Sequence, residues 1–137
     1  MKLFLVILAG ILLLTGCGSN HQAAGGSSQP KVVYRQVSAA DAAALMESES
    51  DYILLDVRTQ AEYDEAHIPG AICIPNETIG TEEISQLPDK AQLILVYCRS
   101  GNRSKQASEK LVQLGYTNIV EFGGINSWPG ETVSGEG

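Results

Sequence analysis

Hydrophobic and polar positions along this chain follow two alternating patterns. Short apolar runs of strand type are separated by segments with helical spacing. Tyr52-Ile53-Leu54-Leu55-Asp56-Val57 and Leu93-Ile94-Leu95-Val96-Tyr97 are runs bounded by polar residues, the mark of strands buried on both faces. Shorter strands are expected at 32–35, 71–74 and 119–122. Helices are expected at 38–47, where Ser38 caps and Asp41 follows three positions on, and at 59–65, where Thr59 caps and Glu62 stands at the third helical position. A short helix at 82–87 is expected to stop at Pro88, and a longer one at 105–114 to end with Gly115 as its C-cap. Pro69-Gly70 marks a turn. Strands that alternate with helices predict an α/β domain, a mostly parallel five-stranded sheet with helices on both faces. Ligands of such sheets bind beyond the carboxyl ends of the strands.

The first seventeen residues break this pattern. Lys2 precedes an apolar stretch from Leu3 to Leu14, too short for a comfortable membrane span and of the length of a signal-peptide core. Leu14-Thr15-Gly16-Cys17 then resembles the bacterial lipoprotein signal. That resemblance implies cleavage after Gly16 and a lipidated Cys17 as the new N-terminus. Residues 18–30 are Ser, Gly, Gln, Ala and Asn with nothing to bury, so they read as a flexible tether, His21 included. The expected organisation is a signal peptide at 1–16, lipidated Cys17 and tether at 17–30, a folded domain at 31–130, and a frayed tail at 131–137. Such a protein sits in the bacterial cell envelope, lipid-anchored to a membrane, with its domain on the periplasmic or extracellular side.

Composition narrows the function. The formal net charge of the 137 residues is −7, and 44 % of them are hydrophobic. The charge argues against nucleic acid or an acidic membrane surface as the main partner, and the apolar content supports one packed domain. Three cysteines, Cys17, Cys73 and Cys98, match no zinc spacing. No metal and no cofactor is expected.

Candidate chemistry concentrates at Cys98. An apolar strand runs into this thiol, the polar loop Arg99-Ser100-Gly101-Asn102-Arg103-Ser104 follows, and then a helix begins. The free N–H groups and positive dipole end of a helix N-terminus stabilise an anion, and two arginines add fixed charge on an otherwise acidic protein. Such surroundings pull a thiol below its ordinary value near 8.5 and make it a nucleophile. Cys73, inside an apolar run, reads as an inert buried thiol.

Several residue groups then converge. Asp56-Val57-Arg58 follows a strand. Glu62-Tyr63 and His67-Ile68-Pro69-Gly70-Ala71 come next, then Tyr97-Cys98-Arg99-Ser100-Gly101-Asn102-Arg103-Ser104. Leu114-Gly115-Tyr116, Gly123-Gly124 and Trp128 complete the series. Together they closely resemble the single-domain rhodanese family of thiosulfate and persulfide sulfurtransferases, over about Val33 to Trp128. The resemblance implies a rhodanese-like three-layer fold. It implies that Cys98 attacks the outer sulfur of a donor such as thiosulfate or polysulfide, carries it as a persulfide, and yields it to cyanide, a thiol or a protein acceptor. The amides from Arg99 to Ser104 are then a cradle for the sulfur, with Gly101 allowing the turn. Arg103 points into that cradle or braces its rim, and Arg99 is a rim charge that draws in the donor. Asp56 and Arg58 are expected to pair and support the loop, His67 to stabilise a turn, and Trp128 to pack under or beside the loop.

Two other functions share the fold. Rhodanese-fold phosphatases carry Cys-x5-Arg, whereas this chain has Cys98-x4-Arg103, a smaller cradle that suits sulfur better than a phosphoryl group. A non-turnover sulfur carrier or binding module needs the same persulfide and is not separable by sequence. A redox thiol is weakened by the lack of a Cys-x-x-Cys pair.

Overall fold

A computed structural model describes residues 33–135. The expected signal segment, Cys17 and the tether lie outside the described residues. Five parallel strands form one sheet in the order β1-β5-β4-β2-β3. They are β1 (Arg35–Gln36), β2 (Tyr52–Asp56), β3 (Ile72–Cys73), β4 (Leu93–Cys98) and β5 (Ile119–Gly124). The helices are α1 (Ala39–Ser48), α2 (Gln60–Glu65) and α3 (Asn102–Gln113).

Alternation along the central strands sorts the core into two layers. Leu55, Ile94, Val96 and Ile119 pack with Ala107 and Leu111 of α3 on one face. Leu54, Leu95, Tyr97, Val120 and Phe122 pack with Ala39 and Ala42 of α1 and Tyr63 of α2 on the other. The sheet has period two, so consecutive residues serve opposite layers. On α3 the buried positions Ser104, Ala107, Ser108 and Leu111 recur at helical spacing. Each helix starts where a side chain or a glycine permits. Ser38 accepts the Asp41 N–H, and Thr59 with Glu62 closes a reciprocal capping box. The α3 helix ends with Gly115 at φ 96°, a left-handed position that favours glycine.

Several local expectations change. The first strand is Arg35–Gln36, two residues paired to Val120 and Glu121, and Val33 and Tyr34 lie outside it. The third is Ile72–Cys73, shorter than 71–74. Residues 82–87 are not a helix: Leu87 N–H closes a single turn on the Ile84 carbonyl, and buried Leu87 carries the contact with the core. Pro88 drives Leu87 away from helical geometry. Finally, the chain near the C-terminus is tied down as far as Gly135. His67 and Val133 exchange two backbone hydrogen bonds of 2.8 Å, and Gly135 N–H reaches the Asp64 carbonyl.

Candidate active site

Cys98 is the last residue of β4, at the carboxyl edge of the sheet, and is 1 % exposed. Opposite it, β5 holds an extra residue: Val96 pairs with Glu121 but Cys98 pairs with Gly124. This bulge bends β5 away and makes room for the loop. The chain then turns at Gly101, whose φ of 120° is open to glycine alone. It enters α3 at Asn102, three residues earlier than the sequence pattern indicates. The cradle is therefore the first turn of the helix itself.

The sulfur sits inside that turn. Gly101 N–H donates to Sγ at 3.1 Å, and the Ser104 hydroxyl lies 3.4 Å away. Burial pushes the Cys98 thiol up, but hydrogen bonds from the Ser104 hydroxyl and from the amides of Ser104, Gly101 and Ser100 outweigh it, and the thiol lies below its ordinary value. Hydrogen bonds to the anion thus do the work that the sequence pattern shares with two arginines. Arg99 and Ser100 are exposed at the loop crest, and Asn102 is exposed at the start of α3.

Arg103 turns outward to brace the rim. Its guanidinium grips Glu62 of α2 with Nη1–Oε2 at 2.6 Å and Nη2–Oε1 at 2.9 Å. Glu62 also accepts the Thr59 N–H at 3.0 Å, so one carboxylate caps α2 and anchors α3. Arg103, ahead of a smaller cost of burial, holds the Glu62 carboxyl down at about 2.

Asp56 and Arg58 form a buried fork. Nε of Arg58 donates to both Asp56 oxygens at 3.0 and 3.1 Å, and Nη2 reaches Oδ2 at 2.6 Å. The same Nη2 donates to the Ala66 carbonyl at 2.6 Å. The pair locks the loop after β2 to the end of α2, and burial is outweighed by Asp56 in keeping Arg58 charged. His67 is 1 % exposed; its Nδ1–H donates to the Tyr63 carbonyl at 2.8 Å and its ring stacks on Tyr63 at 3.7 Å. Trp128 packs on Phe122, 6.0 Å between centroids, on the α1–α2 face.

Cys73 stays apart from this site. It pairs with Asp56, which pairs with Tyr97, so two strand spacings of about 4.8 Å separate it from the Cys98 region. That span is beyond disulfide reach. Burial pushes its thiol up to about 11.

Two further contributors have roles that only the fold reveals. Gly124 lies against the loop so closely that a Cβ there would stand 2.0 Å from the Arg99 carbonyl oxygen. Glu121, in the middle of an apolar run, is 2 % exposed and touches Ser104. Beside the loop, a cleft of about 330 Å³ is lined by Arg58 and Arg99, by Glu62 and Glu65, and by residues of 125–132. Cys98 is not among the residues that line it. The arrangement offers a hydrogen-bonded thiol held below its ordinary value, near an open cleft that carries both arginine and glutamate side chains.

Known proteins share this fold. Residues 38–131 match the Rhodanese-like domain family. Thiosulfate sulfurtransferase PspE of Escherichia coli is 38 % identical over 71 residues, 52 % of this chain and 68 % of that protein. Thiosulfate sulfurtransferase GlpE of Coxiella burnetii is 32 % identical over 98 residues, 71 % of this chain and 89 % of that protein. Among solved structures, the BH2092 protein of Bacillus halodurans is 32 % identical with a TM-score of 0.64, covering 76 % of this chain and 79 % of that one. With the fold, the match from Ser38 to Glu131 and a thiol at the end of β4 all in agreement, the chain belongs to the rhodanese-like domain family.

Proposed function

We propose that this protein is a membrane-anchored, extracytoplasmic sulfurtransferase that moves sulfane sulfur through a Cys98 persulfide. The Cys98 thiolate attacks the outer sulfur of thiosulfate or of a polysulfide. The donor's S–S bond breaks, and its electron pair leaves on sulfite or on the shortened polysulfide. The new S–S bond on Cys98 is then attacked by cyanide or a thiolate, which takes the outer sulfur and returns the Cys98 thiolate. Two easier displacements replace one. Arg99, exposed at the crest, draws in the anionic donor, and the amides of the first α3 turn hold the anionic sulfur in both states.

The single observation that carries this reading is the hydrogen-bonded sulfur of Cys98 in a short Cys-x4-Arg turn, with Gly101 N–H at 3.1 Å. The relatives named thiosulfate sulfurtransferase support the same chemistry. The anchor rests on the sequence around Cys17.

Turnover is the test. The full chain with thiosulfate and cyanide is expected to release thiocyanate, and Cys98→Ser to release none. Equal thiocyanate from both proteins overturns the role of Cys98, and none from wild type with thiosulfate or polysulfide overturns the activity. For the anchor, Cys17→Ser is expected to shift the protein from the membrane fraction to the soluble one. An unchanged distribution rejects lipidation at Cys17.

A further inference from the structure

Four charged side chains line the cleft beside the Cys98 loop: Arg58, Arg99, Glu62 and Glu65. Two of them are already neutralised, Arg58 by its fork on Asp56 and Glu62 by the clamp of Arg103. Among the described residues the ion pairs are these two and Lys90–Glu83. Arg99 and Glu65 belong to none of them, although both are exposed on this one cleft. The cleft thus presents one open cation and one open anion, too far apart to bind each other.

Neither charge serves the fold. Arg99 is held by its backbone: Asn126 N–H donates to its carbonyl at 3.3 Å, and Gly124 lies against the same carbonyl. Glu65 is the last residue of α2, whose final turn carries no basic residue. A carboxylate there meets the negative end of the helix dipole, which disfavours it. Attraction of an anionic donor does not explain it either. Two cations against two anions leave the cleft with no net pull, and Glu65 repels the dianion that Arg99 draws in.

A ligand that satisfies both open charges carries a carboxylate for Arg99 and an ammonium for Glu65. Those are the two charged groups of an α-amino acid. A cleft of about 330 Å³ is at the lower end of small-molecule sites, the size for one amino acid or a short peptide. Half-buried Ile125 offers an apolar patch on the same wall.

We propose that this cleft binds the sulfur acceptor, an α-amino-acid thiol, and that Glu65 sets its specificity by taking the ammonium while Arg99 takes the carboxylate. This rests on the Cys98 persulfide of the proposed function and names the class of compound that receives its sulfur. Arg99 follows Cys98 directly in the chain, so cleft and cradle adjoin. An S–S bond of about 2 Å carries the outer sulfur that far beyond the buried Sγ. The acceptor gives its thiol proton to solvent, and its thiolate attacks the outer sulfur. A new S–S bond forms on the amino acid, the bond to Cys98 breaks, and its electron pair stays on Cys98 as the thiolate.

The test is single-turnover decay of the persulfide in the full chain, loaded with polysulfide, freed of excess, and read by loss of one sulfur atom from the intact mass. The acceptors are L-cysteine, cysteamine, 3-mercaptopropionate and 2-mercaptoethanol. Each rate constant is divided by that of 2-mercaptoethanol on the same protein. Variants are compared with wild type acceptor by acceptor, so intrinsic thiol reactivity cancels. Glu65→Gln is expected to slow cysteine and cysteamine about threefold, the scale of an exposed ion pair, and to speed 3-mercaptopropionate. Arg99→Gln is expected to slow cysteine and 3-mercaptopropionate and to speed cysteamine. Glu65→Asp recovers part of the preference, and added salt shrinks all these differences. Ratios in Glu65→Gln equal to those of wild type overturn the proposal. So does a Glu65→Gln that gains only in the uptake of sulfur from thiosulfate, which marks Glu65 as a filter on the donor.

A second readout needs no sulfur transfer. S-methyl-L-cysteine has no thiol to accept sulfur, and it is expected to slow iodoacetamide alkylation of Cys98 in wild type and to protect about threefold less well in Glu65→Gln. 3-(Methylthio)propionate, which lacks the ammonium, is expected to protect wild type less than S-methyl-L-cysteine does. Equal protection by the two compounds overturns the proposal. Protection that depends on Glu65, in a protein that takes up no sulfur from any donor, rejects the proposed function and keeps the amino-acid site.

Discussion

Arg103 in the first turn of α3 grips Glu62 in the first turn of α2, forty-one positions away, by two hydrogen bonds of 2.6 and 2.9 Å. The side chains remain 27 % and 28 % exposed, so this is a clamp at the rim and not a buried pair. Removing it by Arg103→Ala is expected to cost about 1 kcal/mol of stability. Arg103→Lys keeps the charge but loses the fork and recovers only part of that. Urea midpoints of the three proteins check this.

The same clamp has a pH signature. Glu62 is held down at about 2 in the folded protein, below its value in the unfolded chain near 4.3. A depressed folded value means stability that is fully present above the unfolded value and drains away as pH falls through the folded one. Glu62→Gln is therefore expected to flatten the acid side of the stability curve between about pH 4.5 and 2. Urea midpoints measured across that window, unchanged in slope from wild type, would contradict the assignment.

How far the clamp was legible in the sequence is instructive. The Thr59–Glu62 capping box reads directly from local spacing, because its partners are three residues apart. The second duty of Glu62, and the choice of Arg103 between cradle and rim, depend on bringing α2 and α3 together, which local pattern does not encode. Cys98 and its loop were readable because strand, thiol, glycine and helix follow one another in order. Asp56 and Arg58 were readable as a pair for the same reason of proximity. Glu121 did leave a trace, a charge inside the apolar run Ile119-Val120-Glu121-Phe122, but its partner Ser104 stands seventeen positions away on another element. The expected helix at 82–87 failed because its apolar residues, Ile84 and Leu87, serve as anchors of an irregular segment rather than as one face of a helix.

Gly124 tests how tightly the loop is supported. A Cβ there meets the Arg99 carbonyl oxygen at 2.0 Å and Ser100 N at 2.6 Å, both backbone atoms that a side-chain rotation cannot clear. Gly124→Ala is expected to cost about 1–3 kcal/mol through overpacking. It should also displace the turn that holds Cys98. The check is thiocyanate formation below the melting transition: a large loss with the fold intact, seen by circular dichroism, is the expected outcome.

The Asp56–Arg58 fork makes a sharper stability prediction. Asp56 is 0 % exposed and Arg58 is 5 % exposed. Asp56→Asn leaves a buried guanidinium without its counter-charge, at a cost of about 3–5 kcal/mol. Calorimetry at neutral pH measures it, and a loss below about 1 kcal/mol would mean that the guanidinium finds water.

Cysteine reactivity should divide cleanly. Cys98 lies below its ordinary value, while burial sends Cys73 up to about 11. At neutral pH, limited iodoacetamide is expected to label Cys98 first, and Cys73→Ser to leave that rate unchanged. Preferential labelling of Cys73 would reverse the assignment of nucleophile and bystander.

The most direct measurement of the central claim is the intact mass of the protein before and after thiosulfate or polysulfide, with Cys98→Ser alongside. The account predicts that wild type alone gains one sulfur atom, that the gain maps to Cys98, and that cyanide removes it. A wild type that gains no sulfur from either donor while Cys98 remains open to alkylation would contradict it.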